Sequence, residues 1–185
     1  MQSFSRRRMF EKSIIRKKMR EMNRALPNYL RERASERIFC KITTIKEFQQ
    51  AECIALFCSL KDEPNTESIL KALLPNKRVV VPRVEGEIIS FYDYSQTQLE
   101  CGSYGILEPQ NGMAVDPKEI DLVVVPGVAF TTTGKRMGRG KGYYDRYLSQ
   151  LREGALKIGV CYAHQIVEEL PTEPHDIMMD CVIYG

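Results

Sequence analysis

The part of the chain that most constrains its fold is a strand, a glycine-rich loop and a helix start that follow one another within residues 121–148. The strand run Leu122–Val125 is apolar on both faces, which is typical of a strand buried between two layers of helices. The loop has glycines at positions 138, 140 and 142, and an amphipathic helix is predicted directly after it, from Tyr143 to Leu151. This order of elements favours an α/β fold in which helices cover both faces of a sheet.

Short β-rich runs recur along the rest of the chain and alternate with helical segments. Further strands are predicted at Ile54–Cys58, Val79–Val81, Ile88–Tyr92, Lys157–Cys161 and Cys181–Tyr184. A helix is predicted over Thr66–Leu74, whereas Tyr94–Pro117 shows no periodicity and is expected to be an irregular connection. We therefore predict a three-layer α/β/α architecture around a mainly parallel central sheet.

The N-terminal segment differs from this body because it is helical and basic. Its apolar side chains recur at helical spacing and are Ile15, Met19, Met22 and Leu26. A second stripe is basic and consists of Lys12, Arg16, Arg20 and Arg24. Pro27 is expected to end the first helix, and a second helix is predicted after it. We expect one domain over residues 1–185, with the basic segment at about residues 10–45 and the α/β body at about residues 52–185.

The composition argues against several functional classes. With 43% hydrophobic and 28% charged residues, the chain has the balance of a soluble globular protein, and no apolar run is long enough to span a bilayer. The formal charge of +3 does not favour an obligatory nucleic-acid partner. Six cysteines form no CxxC pair and only two histidines accompany them, so reduced core thiols are expected rather than a zinc site. We expect a monomeric cytoplasmic protein with neither a membrane nor a nucleic-acid partner.

The glycine-rich loop has the features of a phosphate-binding cradle. Glycines at alternate positions let backbone N–H groups approach an anion closely, and the following helix points its positive end the same way. Arg136, Arg139 and Lys141 add positive charge where negative charge would build up on a transferring phosphoryl group. The loop fits neither the Walker A pattern nor G-x-G-x-x-G. Asp145, in the first turn of the helix, could hold magnesium or simply complement the helix dipole.

At this point a resemblance to a known family becomes specific. The run Pro126–Leu148 reads PGVAFTTTGKRMGRGKGYYDRYL and resembles the signature of 5-formyltetrahydrofolate cyclo-ligases, also called 5,10-methenyltetrahydrofolate synthetases. Four shorter family motifs are matched by Lys12-Ser-Ile-Ile-Arg16, Glu63-Pro-Asn-Thr66, Gly105-Ile-Leu-Glu-Pro109 and His175-Asp176. One departure is Thr131, which stands where the family often has aspartate.

The resemblance implies a fold of the sugar-phosphate isomerase and CoA-transferase type, with ATP and folate side by side. The residues that it places against ATP are Lys12, Ser13, Ile14, Ile15, Arg16, Arg136, Met137, Gly138, Arg139, Gly140, Lys141, Gly142, Tyr143 and Tyr144. Those that it places against the folate are Arg16, Cys58, Glu63, Arg139, Gly140, Lys141, Gly142 and Tyr143. It implies catalytic roles for Arg139, Lys141 and Tyr143, and Mg²⁺ ligands in Asp145 and Asp176.

The implied reaction is the ATP-dependent closure of 5-formyltetrahydrofolate to 5,10-methenyltetrahydrofolate, with release of ADP and phosphate. The formyl oxygen attacks the γ-phosphate, and N10 then attacks the activated carbon. This route needs no protein nucleophile, because phosphoryl transfer is catalysed largely by positioning and charge neutralisation. A carboxylate such as Glu63 suits the N–H donors of a pterin, and Tyr143 or Phe57 could offer a stacking surface.

Two other classes account for part of the sequence. An isomerase or CoA transferase of the same fold would act without nucleotide hydrolysis, since a fold alone does not fix function. A nucleic-acid-binding module would use the basic first helix against phosphates, but it would leave the run from Gly138 to Asp145 without a purpose.

Overall fold

The computed structural model describes residues 2–73, 75–96, 99–102 and 107–185. Its helices are α1 (Gln2–Ala25), α2 (Asn28–Thr43), α3 (Lys46–Gln50), α4 (Glu67–Leu73) and α5 (Tyr143–Leu148). Its strands are β1 (Cys53–Ala55), β2 (Arg78–Glu85), β3 (Ile88–Asp93), β4 (Leu99–Cys101), β5 (Leu107–Pro109), β6 (Leu122–Pro126), β7 (Ala129–Phe130), β8 (Arg136–Met137), β9 (Leu156–Cys161) and β10 (Cys181–Tyr184). Within these residues, no helix combines the length and the apolar character that crossing a membrane requires.

A six-stranded sheet in the order β10-β9-β6-β1-β2-β3 forms the centre of the molecule. Neighbouring strands from β10 to β2 run parallel, and only β3 is antiparallel to its neighbour, β2. The predicted mainly parallel sheet is therefore confirmed. Successive side chains of a strand point to opposite faces, so Val123 and Val124 of β6 enter two different core clusters. Both faces of this strand are buried, as its uninterrupted apolar sequence predicted.

The two faces of the sheet are covered unequally. On one face, α2, α3 and α4 contribute side chains such as Ile38, Phe48 and Leu70 to a single core cluster. On the other face, α5 contributes Tyr147 and Leu148. This helix ends at Leu148 rather than at the predicted Leu151. The α/β/α layering is present, but one of its helical layers contains only this short helix among the described residues.

The break between the two N-terminal helices lies where the sequence predicted it, but α1 begins at Gln2, earlier than the helical segment predicted from about residue 10. Helix α1 ends at Ala25, and α2 begins at Asn28, directly after Pro27. Met19 of α1 is buried in a small separate cluster with Val128 and Met137, against which Ile15 packs. This contact places α1 over β7 and β8, and therefore beside the glycine-rich loop that follows β8.

Several short elements were not predicted. The hairpin of β4 and β5 lies inside Tyr94–Pro117, which was expected to be irregular. The hairpin of β7 and β8 pairs Ala129 with Met137, and α3 was also missed. Strand β1 ends at Ala55, earlier than predicted, and the chain after it turns towards the pocket described below. Gly105 and Ile106 of the matched motif, and Leu74 at the end of a predicted helix, lie outside the described residues.

Gly159 of β9 gives a testable account of packing in this core. A Cβ atom at this position would lie 2.5 Å from the ring of Phe130, which has no exposed surface and cannot move outward freely. Overpacking a core of this kind costs about 1–3 kcal/mol. We expect Gly159→Ala to lower the free energy of unfolding by that amount, measured by urea denaturation. Gly159→Ala should cost less in a protein that already carries Phe130→Leu, because the smaller side chain relieves the clash. Equal costs in the two backgrounds would contradict the steric explanation.

Candidate active site

A cavity of about 700 Å³ opens at the carboxyl ends of the parallel strands. Phe57 and Cys58, which follow β1, and Pro126 and Gly127, at the end of β6, line its floor. Ligands of α/β proteins bind at this edge of the sheet, and the volume suits a ligand of cofactor size. Burial raises the pKa of Cys58 to about 12, so its thiol stays protonated at neutral pH and offers an apolar contact rather than a nucleophile.

The glycine-rich loop forms one wall of this cavity and is pinned by α1. Gly140 and Gly142 have φ values of 99° and 68°, in the region that favours glycine. The Nε of Arg16 donates to the Gly138 carbonyl at 2.9 Å, and a Cβ on Gly140 would lie 3.4 Å from the Arg16 guanidinium carbon. The Arg16 guanidinium therefore lies against the loop backbone at Gly138 and Gly140, whereas Gly142 faces Arg146. This brings Arg16 into the cavity, together with Lys12 one turn earlier.

Arg136 and Asp145 form a buried ion pair at the base of the loop. The Nη2 of Arg136 lies 2.9 Å from Asp145 Oδ1, and the Arg136 side chain is only 4% exposed. Its guanidinium also faces the ring of Tyr144 at 5.6 Å and donates to the Pro126 carbonyl. Asp145 Oδ1 accepts a second hydrogen bond, from the Ile177 N–H. The pair ties α5 to the end of β6, so Arg136 has a structural role besides its charge.

A second cluster of charges lies where α1 meets the segment before β10. Lys12 Nζ lies 3.1 Å from Glu173 Oε1 and 3.3 Å from Asp176 Oδ2. The Glu173 N–H donates to the same Asp176 oxygen at 2.7 Å. His175 is mostly exposed at the rim, with its Nε2 3.4 Å from Glu173 Oε2. The cluster holds the N-terminal helix and the late acidic motif together at the cavity edge.

On the opposite wall, Arg139 crosses the cavity mouth to the acidic residues after β1. Its guanidinium lies 2.9 Å from Glu63 Oε1 and 2.7 Å from Asp62 Oδ1. The Glu63 side chain is 8% exposed, and its other oxygen accepts the Leu60 N–H at 3.0 Å. Burial raises the pKa of Glu63, while Arg139 and the Leu60 N–H act against that rise by stabilising the ionised form. A buried acceptor therefore faces the cavity and is covered by a cation from the loop.

Asp145 and Asp176, the two carboxylates predicted to bind magnesium, fit a site in which the substrate supplies further ligands. No group of three or more histidine, cysteine or acidic side chains is placed to hold a metal ion within the part of the chain that the structure describes. Asp145 and Asp176 each have a basic partner but both line the cavity. Mg²⁺ is commonly held by one or two carboxylates together with substrate phosphates rather than by a cage of protein ligands. The residues present fit that arrangement.

Most of the residues singled out from the sequence come together in this cavity. Those that line it are Lys12, Arg16, Cys58, Glu63, Arg136, Met137, Gly138, Arg139, Gly140, Lys141, Gly142, Tyr143, Tyr144, Asp145 and Asp176. Three neighbours on α1 do not line it. Ser13 and Ile14 are exposed to solvent, and Ile15 packs on the small cluster around Met19. The helical period explains this, because residues three or four apart share a face and the intervening ones do not.

Other lining residues were not assigned to the site from the sequence. They include the acids Glu108 and Glu173, the apolar side chains of Leu60, Pro82, Val84 and Ile89, and Arg146. Arg146 and Tyr143 hold the β2–β3 turn, since they donate to the carbonyls of Glu87 and Gly86. Glu108 belongs to the quoted motif Gly105–Pro109 and could have been proposed on that basis. The apolar wall carries no comparable sequence signal.

Comparisons with known proteins agree on one family. The sequence model described as the 5-formyltetrahydrofolate cyclo-ligase family matches residues 8–185. A 5-formyltetrahydrofolate cyclo-ligase of Mus musculus is 29% identical, over 92% of this chain and 91% of its own length. The enzyme of that name from Haemophilus influenzae is 31% identical, over 92% of this chain and 96% of its own.

Solved structures give the same result for the fold. The solution structure of Aquifex aeolicus 5,10-methenyltetrahydrofolate synthetase matches with a TM-score of 0.83 and 38% identity, covering 93% of this chain and 88% of that one. A 5,10-methenyltetrahydrofolate synthetase from Mycoplasma pneumoniae matches with a TM-score of 0.77 and 28% identity, covering 94% and 98%. The similarity therefore extends over nearly the whole of both chains.

Proposed function

This chain belongs to the 5-formyltetrahydrofolate cyclo-ligase family, and from that premise we propose that it closes 5-formyltetrahydrofolate to 5,10-methenyltetrahydrofolate with ATP as the phosphoryl donor. One observation carries the ATP part of the proposal. A single cavity has a cationic glycine-rich loop on one wall and the buried carboxylate of Glu63 on the other. The loop suits polyphosphate, the carboxylate suits the N–H groups of a pterin, and the two ligands would meet between them.

The phosphate side is built from groups that need little reorganisation. Arg16 and Arg136 are already fixed by hydrogen bonds to backbone carbonyls, while Lys141 is exposed on the loop. Fixed cations aimed at the site of developing charge stabilise a phosphoryl-transfer transition state more than flexible ones do. Asp145 and Asp176 would hold Mg²⁺ against the phosphates, and the ion would supply further charge neutralisation there.

The folate side needs a hydrogen-bond acceptor for the pterin and an apolar surface for its ring. It also requires Arg139 to move away from Glu63. The Glu63 carboxylate would accept hydrogen bonds from the paired N–H donors of the pterin, and Phe57 with Leu60 would contact the ring face. Arg139 now covers Glu63. On folate binding its guanidinium would move from this acid towards the transferring phosphate, which lies on the side of its own loop.

The chemical steps then follow from proximity. The formyl oxygen attacks the γ-phosphorus, the bond to the ADP oxygen breaks, and the formyl carbon gains a phosphate leaving group. N10 attacks that carbon, loses its proton to solvent or phosphate, and the C–O bond to phosphate breaks. The cyclic amidinium of the product remains. The protein aligns the two reactants and excludes water, and alignment alone can contribute about 7–11 kcal/mol to lowering such a barrier.

A spectroscopic assay tests this proposal directly. Purified protein is mixed with 5-formyltetrahydrofolate, ATP and Mg²⁺, and the absorbance band of the methenyl product is followed while each component is omitted in turn. We expect the band to rise only when all three are present. A rise without ATP would contradict the phosphoryl-transfer mechanism, and binding of ATP without any rise would contradict the folate assignment.

A further inference from the structure

The segment that carries Glu63 is held by an unusual set of hydrogen bonds to its backbone. Three consecutive carbonyls, those of Lys61, Asp62 and Glu63, each accept from a different side chain. The donors are Arg31 of α2, Asn23 of α1 and Tyr162 after β9. Asn23 Nδ2 lies 2.9 Å from the Asp62 oxygen, and Tyr162 Oη lies 2.8 Å from the Glu63 oxygen. Because these donors come from three separate elements, they fix the height and direction of this segment in the cavity wall.

Asn23 is the central member of this set. It is 4% exposed, and its amide is used at both ends, since Oδ1 lies 2.5 Å from His164 Nε2 while Nδ2 bonds Asp62. An amide oxygen can only accept, so this geometry requires a hydrogen on His164 Nε2. The Asp62 carbonyl, which only accepts, selects this amide orientation and through it the tautomer of the imidazole. The opposite orientation would bring Asn23 Oδ1 against the Asp62 carbonyl, oxygen to oxygen.

His164 is itself held in place. Its ring stacks on Tyr162 at a centroid distance of 5.9 Å, and the turn that carries both residues is fixed by Gln165, which donates to the Gly127 and Val128 carbonyls. Burial lowers the pKa of His164, so the ring is neutral at pH 7, with its hydrogen on Nε2. The turn thus joins the cavity floor after β6 to the wall that carries Glu63.

We propose that Asn23 and His164 act as a pair of positioning residues that align Glu63 with the pterin of the folate substrate. The inference rests on the proposed role of Glu63 in folate binding. Neither side chain lines the cavity, so the pair acts only through the backbone of Asp62 and Glu63. Loss of either partner displaces the carboxylate from its substrate and leaves the glycine-rich loop, where ATP binds, in place.

The test separates folate binding from ATP binding and from folding. The variants are Asn23→Asp, which puts an oxygen in place of the donor at the same size, and His164→Ala, which removes the donor to Asn23. We expect each to raise KM for 5-formyltetrahydrofolate about 5- to 30-fold, the loss expected for one or two buried hydrogen bonds, with KM for ATP changed less than about 2-fold. His164→Gln retains an N–H donor and should restore KM for folate to within about 3-fold of the original value. Asn76→Asp, the same chemical change at an exposed turn, should leave both constants unchanged.

The outcomes distinguish a positioning role of Asn23 and His164 from a structural role, and both from failure of the proposed folate role of Glu63. Unchanged KM for folate in His164→Ala would overturn the proposal. An equal rise in KM for both substrates, accompanied by a lower Tm, would overturn it in favour of a structural role. Failure of His164→Gln to restore binding would contradict the donor assignment. Glu63→Gln serves as the reference: if it leaves KM for folate unchanged, the folate role of Glu63 fails and the positioning proposal fails with it. If Glu63→Gln weakens folate binding but Asn23→Asp does not, only the positioning proposal is wrong.

Discussion

Replacing Lys141 by alanine is expected to lower kcat about 100- to 1,000-fold, because bound phosphates would order its side chain, and this is the loss typical of removing one ordered group that stabilises transition-state charge. Lys141 is exposed on the glycine-rich loop and contributes to none of the core clusters, so Tm should change by less than about 1 °C. The measurement is turnover at saturating ATP and 5-formyltetrahydrofolate, together with thermal unfolding of the same sample. Lys141→Arg keeps the charge and should retain more activity than alanine.

Lys118→Ala is the matched control for this experiment. Lys118 is also an exposed lysine, but it lies in the turn before β6 and does not line the cavity. Removing its charge changes the net charge of the protein by the same amount, so any general electrostatic effect on substrate approach appears in both variants. Wild-type turnover in Lys141→Ala, or equal losses in the two variants, would rule out a role for Lys141 in the transition state.

The second large effect is expected at Glu63, where Glu63→Gln should raise KM for 5-formyltetrahydrofolate about 10- to 150-fold. This range corresponds to the 1.5–3 kcal/mol that a hydrogen bond to a charged group contributes. The amide keeps the shape of the side chain and can still accept the Leu60 N–H, but it loses the charge that two pterin donors would favour. KM for ATP should stay within about 3-fold, since the proposed phosphate site lies on the opposite wall. Initial rates with one substrate varied at a time give both constants.

Glu67→Gln provides the corresponding control. Glu67 lies four residues later, and its side chain is 66% exposed in a pair with Lys71. The substitution removes an acid from the same part of the chain without touching the cavity, and exposed pairs of this kind contribute little to stability. A similar rise in KM for folate in both variants would show that the local charge matters rather than the Glu63 carboxylate itself.

The sequence predicted the central sheet well because burial on both faces leaves a strong local signal. Leu122–Val125 has the pattern typical of a buried strand, and its neighbours β1 and β9 also contain buried apolar runs. The hairpin of β7 and β8 left no such signal. Each of these strands has only two residues. Ala129 pairs with Met137 because the chain reverses direction through Thr131–Lys135, and the composition of the two strands does not predict that reversal. Elements of this length are decided by tertiary contacts, which local propensity does not report.

The candidate site shows the same division between local and non-local information. The glycine-rich loop and Lys12 with Arg16 could be proposed from motifs, and the structure brings them together across more than 120 residues, as in the bond from Arg16 to Gly138. A motif also includes residues between the ones that face the site. This is why Ser13 and Ile14 were assigned to the site although they are exposed to solvent and do not line the cavity. The position of Glu173 beside Lys12, and the three donors beneath Glu63, follow from how distant elements pack. A single sequence carries no pattern for those contacts.

The placement of α1 has a consequence for how this molecule loses activity. The helix lies outside the sheet and is attached by a small apolar cluster around Met19 and by polar contacts of Lys12, Arg16 and Asn23. Peripheral elements with few buried contacts open at a lower free energy than the core does. Opening of α1 alone would remove Lys12 and Arg16 from the cavity and one support from the wall that carries Glu63, while the six strands would stay paired. We therefore expect activity to be lost before the sheet unfolds. Amide hydrogen exchange should show α1 opening at a lower free energy than the six strands.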